Sequence, residues 1–287
     1  MKTARSLSWV AALGVLGLAC QTASAQYSSD FEALTGSPAG VTLNGQDLFY
    51  NPVAGSDSFL VFSYDGNFLG LPANPTGGEQ FVGAAGPGGN VFARSQRDLT
   101  YGAGTGLWTT AFDIAVTYTG QLPSAQNLGS FSLSPFSTTP TNASYIALAR
   151  WTDPNTAANW NADYLYFDAG NNFVIASVPD MGFQNLAINH WYRWSTTFDF
   201  DTNLITEVSI TDITTGATAT HNPVGWYLGG GAAGGLPPVT GFRFFAGAGA
   251  VAGNTMAFDN ITIVPSPATL ALLGLGGLAG ITRRRRR

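Results

Sequence analysis

Two tryptophans and a tyrosine gather in one short stretch, Arg150-Trp151-Thr152-Asp153 through Asn159-Trp160-Asn161-Ala162-Asp163-Tyr164. Such rings pair an apolar face with a polar edge, and amide and carboxylate groups stand beside them. That combination suits the C–H faces and hydroxyls of a sugar. Trp151, Asp153, Trp160, Asn161 and Tyr164 are therefore the candidate carbohydrate-binding residues. In the competing reading, Trp151 and Trp160 cap the edge of the fold.

Other chemistry is poorly supplied. Cleaving a glycosidic bond takes two carboxylates about 5–5.5 Å apart in a retaining enzyme. The glutamates of this chain, Glu32, Glu79 and Glu207, fall in three separate segments. Its two histidines, His190 and His221, are also far apart, and His190 precedes a strand while His221 lies in a turn before Asn222-Pro223. No catalytic residue and no metal ligand set is assigned, and zinc is not expected. Oxygen-rich loops could offer hard ligands to Ca2+: Asp153-Pro154-Asn155, Asp168 with Asn171 and Asn172, and Asp199 with Asp201 and Asn203. The same residues are what hairpin turns require for their backbone shapes, and turn chemistry is the preferred reading.

These residues lie on strands. Period-2 alternation places Phe112, Ile114, Val116 and Tyr118 on one face and Asp113, Ala115 and Thr117 on the other. Tyr192, Trp194, Thr196, Phe198 and Phe200 alternate in the same way with Trp191, Arg193, Ser195, Thr197 and Asp199. The turn Asp201-Thr202-Asn203 leads to a strand with Leu204, Val208 and Ile210 inward, and Asp212 to Gly216 makes the next turn. Leu165-Tyr166-Phe167 and Phe173-Val174-Ile175 flank a hairpin turn, and Phe59 to Tyr64 forms a further strand. Met256 and Phe258 are out of phase with Ile261 and Ile263, which predicts a bulge at Asp259-Asn260. Gly225 to Gly235 is read as a long loop. The expectation is an all-β, two-sheet antiparallel jelly-roll sandwich.

Between the chain ends, five arginines and no lysine (Arg94, Arg97, Arg150, Arg193, Arg243) face all seventeen acids. An acidic surface of this kind argues against a nucleic-acid partner.

Both ends look like sorting devices. Lys2 and Arg5, an apolar run from Leu7 to Cys20 and Ala23-Ser24-Ala25 make a secretory signal peptide cut by signal peptidase before Gln26. Gly17-Leu18-Ala19-Cys20 loosely resembles a lipobox, but cleavage after Ala25 leaves a mature chain without cysteine. At the other end, Val264-Pro265-Ser266-Pro267 precede an uncharged run from Ala268 to Ile281 and the cluster Arg283, Arg284, Arg285, Arg286 and Arg287. The prolines let a helix start only after them. A short transmembrane helix of roughly 20–23 Å would follow, its arginines on the cytoplasmic side. The domains expected are 1–25 signal peptide, 26–263 β-sandwich and 264–287 sorting signal.

The tail resembles the PEP-CTERM sorting signal of Gram-negative bacteria, a Pro-Glu-Pro motif followed by a short transmembrane helix and a basic terminus. The resemblance implies an exosortase, a membrane transpeptidase, as partner, and placement at the cell surface or in an extracellular matrix containing exopolysaccharide. Ser266 stands where the family has Glu. Asp30-Phe31-Glu32, His190-Trp191-Tyr192-Arg193-Trp194 with Phe198-Asp199-Phe200-Asp201, and Ala257-Phe258-Asp259-Asn260-Ile261 resemble concanavalin A-like, LamG-type jelly rolls. That likeness implies that the first and last strands pair. The Glu-x-Asp-x-x-Glu strand of jelly-roll glucanases has no counterpart here. Together these readings give an exported, non-enzymatic surface or matrix protein associated with polysaccharide. The alternatives are a structural surface protein without a specific ligand and, more remotely, a glycoside hydrolase.

Overall fold

Alternating apolar and polar residues need a second sheet to bury their apolar phase, and the chain supplies two. A computed structural model describes residues 27–84, 93–99, 106–118, 126–135, 145–153, 155–178, 181–234, 239–247 and 254–266. The signal peptide with Ala23 and Ala25, and the tail from Pro267 onward, lie outside the described residues. Among those described, no helix is long and apolar enough to cross a membrane.

Sixteen strands are described. The first five are β1 (Tyr27–Ser29), β2 (Val41–Thr42), β3 (Leu60–Ser63), β4 (Gln80–Gly83) and β5 (Ala93–Asp98). Then come β6 (Leu107–Tyr118), β7 (Asn127–Pro135), β8 (Tyr145–Trp151), β9 (Asn159–Phe167), β10 (Phe173–Ser177) and β11 (Leu186–Ala187). The last are β12 (Trp191–Asp199), β13 (Leu204–Asp212), β14 (Thr218–His221), β15 (Val239–Ala246) and β16 (Asn254–Pro265). The large sheet runs β14-β13-β12-β6-β16-β4-β3-β2, with β1 also on β16. The small sheet runs β10-β9-β8-β7-β15-β5, with β11 on β9. All ladders between these strands are antiparallel, and the first described strand pairs with the last, Tyr27 opposite Ile263.

The core fills the space between the sheets. Phe112 meets Phe131 with ring centroids 4.4 Å apart, and Phe258 meets Phe244 at 4.5 Å, each pair joining opposite sheets. The bulge expected at Asp259-Asn260 is present: the register against β6 shifts after Asp259, and Asn260 takes φ 47°. It lets Met256, Phe258, Ile261 and Ile263 all reach the core. A second bulge, at Thr197/Phe198, corrects one inward residue: Ile205 rather than Leu204 joins Val208 and Ile210 inside. Strand β16 continues through Val264 and Pro265, opposite Thr109 and Trp108 of β6. Ser266 then donates its N–H to the Leu107 carbonyl at 2.7 Å. The segment from Gly225 is less a free loop than a seam. Tyr227 bridges Phe167 of the small sheet and Leu204 of the large one.

The phase of β6 expected to face outward is buried too. Asp113 and Ala115 lie beneath the segment 64–79, whose Leu69 and Leu71 pack with Phe62, Phe81, Ala115, Trp191 and Ala257 in a second core, and Thr117 is buried with its hydroxyl on Asn189. Asp113 and Asp259 stand directly opposite each other on β6 and β16, both fully buried. Arg193 grips Asp113 through Nε and Nη2, while Asn74 and Asn260 each donate to Asp113 Oδ2 at 2.8 Å. Asp259 receives only neutral donors, the Tyr64 hydroxyl at 2.9 Å, the Asn74 amide at 3.1 Å and the Asn260 N–H at 2.8 Å. Gly77 passes so close that a Cβ would fall 2.2 Å from Asp259 Oδ2.

Burial, followed more weakly by the nearby Asp113 charge, raises the Asp259 carboxyl from 3.8 to about 7 against the hydrogen bonds it accepts. Folded protein therefore keeps a proton that unfolded chain releases near 4, and stability falls as pH rises through that window. Thermal melts from pH 5 to pH 8 should show this loss, on the order of a few kcal/mol. Asp259→Asn should flatten the slope and leave the variant more stable than the parent at pH 8. An unchanged slope would remove Asp259 as its source.

Candidate functional site

The hairpin β8–β9 carries the residues singled out for sugar binding, and its register decides their fate. Trp151 pairs with Trp160, and the inward phase of the two strands is Tyr145, Ala147, Ala149 and Trp151 against Trp160, Ala162 and Tyr164. Trp151, Trp160 and Tyr164 are fully buried. The Trp160 indole donates to the Ala187 carbonyl and meets Tyr192 edge-on at 5.7 Å. The Tyr164 hydroxyl shares a 2.8 Å hydrogen bond with Thr196 and accepts one from Trp194. These rings form a wall between the sheets, so the expected ring platform is corrected. Asp153 is exposed but folds back on its own turn, accepting from the N–H and side-chain amide of Asn155. Asn161 points to the outer face and accepts from Thr152 and from the Asn185 N–H.

The other oxygen-rich loops also engage themselves. Asp168 accepts three hydrogen bonds from Asn172, and Asp199 accepts from the Asp201 N–H and the Thr202 hydroxyl. Asn203 donates to the carbonyls of Leu228, Gly229 and Gly231, while Asn171 accepts from the Gly230 N–H. Among the described residues no group of three or more His, Cys, Asp or Glu could hold a metal ion. Glu32 takes the N–H groups of Glu79 and Gln80 at 2.8 and 2.9 Å, and Glu207 is exposed on β13. His190 stands 3.5 Å from Asp212, and His221 lies against Trp226.

The opposite phase of the same hairpin forms a different site. Two rows of side chains cross the outer face of the small sheet. In one, Gln96, Arg243, Ser132, Ile146, Leu165 and Ile175 stand in register from β5 to β10. In the other, Arg94, Phe245, Ser130, Leu148, Asp163 and Ser177 do the same. Members of both rows line a groove of roughly 240 Å³, its β5–β15 end polar and its β8–β10 end apolar. That volume is a little below the ~300–1,000 Å³ of typical small-molecule sites, which suits one ring of a larger ligand. Phe173 and Ile175 extend the apolar end into solvent, each about half exposed.

Polar groups at both ends of the groove are held in place. Arg243 donates through Nε to Gln96 Oε1 at 2.9 Å, and Gln96 in turn donates to Asp98 at 3.0 Å and to the Tyr50 hydroxyl. Arg94 lies over the Phe245 ring at 4.9 Å. Burial pulls the Arg243 guanidinium below its ordinary value, and the neighbouring Arg94 charge pulls it further. Beside the apolar end, Arg150 donates to Asp163 Oδ2 at 2.8 Å. Arg150 Nε is buried without a hydrogen-bond partner. Burial raises the Asp163 carboxyl, against the hydrogen bond and charge of Arg150 and a hydrogen bond from Ser177, its cross-strand neighbour on β10. A larger groove on the other sheet, lined by Ser28, Asp30, Thr76, Arg193, Asn260 and Thr262, lacks an apolar floor, and its Arg193 is already committed to Asp113.

No protein-family model matches the chain, and no curated protein matches it. Solved structures that superpose on part of the sandwich include a carbohydrate esterase from Shiga toxin-encoding bacteriophage phi24B. It is 14% identical over 69% of this chain and 86% of that one, with a TM-score of 0.40. The receptor binding domain of botulinum neurotoxin D is 8% identical over 85% of this chain and 53% of that one, at 0.42. The serotype D ligand binding domain in complex with N-acetylneuraminic acid is 7% identical over 80% and 48%, at 0.40. The chain spans about half the length of these two neurotoxin structures. Likeness at this level carries nothing about ligand or activity.

The burial of the aromatic wall sets an expectation of its own. Trp160→Ala should cost about 3–5 kcal/mol in chemical denaturation, as large-to-small core changes do. Trp160→Phe should cost clearly less. Equal stability of Trp160→Ala and the parent protein would put the indole back at the surface.

Proposed function

We propose that this is an exported, non-enzymatic surface or matrix protein that binds polysaccharide through the outer face of its small sheet. One observation carries the reading. An accessible groove sets an apolar floor of Leu148, Leu165 and Ile175 beside the guanidinium groups of Arg94 and Arg243 and the hydroxyls of Ser130 and Ser132. A saccharide has the matching surfaces: C–H faces for the floor and oxygens and hydroxyls for the polar groups. Export and sorting rest on the two chain ends, whose layout resembles a signal peptide and an exosortase-read tail.

Binding of the full chain to a panel of polysaccharides should be saturable. Leu165→Arg, which fills the apolar end, should abolish it while leaving the melting temperature within a few degrees. Retained affinity in that variant would remove the groove as the site. The sorting half has a separate test. Mass spectrometry of surface-exposed protein from the native host should show loss of the residues after about Pro267, and an intact Arg287 on most molecules would contradict it.

A second reading, a structural surface protein without a specific ligand, draws on the half-exposed Phe173 and Ile175 of edge strand β10. It predicts self-association that Phe173→Lys abolishes and that free saccharides leave unchanged.

A further inference from the structure

We propose that the groove selects an acidic saccharide, whose anionic group lies between Arg94 and Arg243 while its ring covers Leu148 and Leu165. The proposal rests on the reading of this groove as a saccharide site and names the ligand class.

The distribution of charge points to it. Of the five arginines between the chain ends, Arg97 and Arg193 form ion pairs with Asp47 and Asp113 away from this face. The other three stand on the outer face of the small sheet: Arg94 and Arg243 line the groove, and Arg150, ion-paired with Asp163, flanks it. A strongly acidic domain thus sets two of its few arginines in one cavity. Acidic polymers would be repelled by the rest of such a surface and attracted only here.

Geometry makes the pair a receptor for an anion. Arg94 and Arg243 occupy adjacent strands, two residues apart in register and so on the same face, with the β15 partners of Arg94 and Gln96 being Phe245 and Arg243. The two like charges press on each other in a partly desolvated setting, and a bound carboxylate relieves that repulsion. Arg243 does not have to be ordered by the ligand. Gln96 Oε1 already accepts from its Nε and Nη2, and Tyr50 and Asp98 hold Gln96, so little side-chain freedom is lost on binding. A guanidinium fixed in this way holds its charge at the groove, which a lysine, unable to keep both hydrogen bonds to Gln96, would not. Ser130 and Ser132, lining the same groove, supply hydroxyls beside the anionic group.

The test uses the full chain in affinity electrophoresis and titration calorimetry against polygalacturonate and against dextran, an uncharged glucan. Polygalacturonate should bind, with dextran weaker by roughly tenfold or more. Arg94→Gln and Arg243→Lys should each lower polygalacturonate affinity by about tenfold or more, the second while keeping the charge. Arg97→Gln, which removes the same charge as Arg94→Gln outside the groove, should stay within about twofold. Circular dichroism and melting curves establish that each variant is folded. Equal losses in Arg94→Gln and Arg97→Gln would reduce the effect to net charge and overturn the proposal. Dextran binding as tightly as polygalacturonate, and lost in Leu165→Arg, would overturn the acidic selectivity while leaving the saccharide groove standing. Failure of both polymers to bind would overturn both.

Discussion

Two carboxylates facing each other across the longest ladder of the fold set the terms for everything around them. Asp113 and Asp259 are opposite partners on β6 and β16, and like charges so placed repel. The fold answers with one cation, Arg193, for Asp113 and with neutral donors for Asp259. The side-chain donors to Asp259 come from the segment 64–79, which has to lie over the sheet to deliver Tyr64 and Asn74 to it and Asn74 and Thr76 to Asp113. Once there, its Leu69 and Leu71 bury the neighbouring apolar surface as well. The large sheet is thereby closed on both faces across its centre.

The small sheet is built differently. Its inner face holds the aromatic wall of Tyr145, Trp151, Trp160 and Tyr164, and its outer face carries the groove. The cost of burying an unpartnered polar atom is of order 1–3 kcal/mol, so Arg150 Nε is expensive as it stands.

Much of the architecture was legible because period-2 alternation is a direct consequence of strand geometry. The inward phases of β6 and β12, the turns at Asn203 and Gly216 and the bulge at Asn260 follow from residue order, whereas the pairing of the first and last strands is what the jelly-roll resemblance implies. What alternation does not reveal is whether the outward phase meets water. Asp113 looks like a surface residue in the sequence and is buried, because a segment distant in sequence covers it. The candidate rings are inward for a related reason: Trp151, Trp160 and Tyr164 suit a sugar platform, yet large rings are also what a sandwich core needs, and alternation alone does not say which face of the hairpin is covered. Leu148 and Leu165, one residue out of phase, line the outward groove instead.

The central claim is that ligand binds the outer face of the small sheet. Methyl-detected NMR of the full chain, titrated with a short oligomer of galacturonic acid, addresses it most directly. The account predicts shifts confined to Ile146, Leu148, Leu165 and Ile175, with Val61, Ile210 and Ile263 of the large sheet unmoved. Shifts centred instead on Leu69, Leu71 and Ile263, or none at saturating ligand, would contradict it.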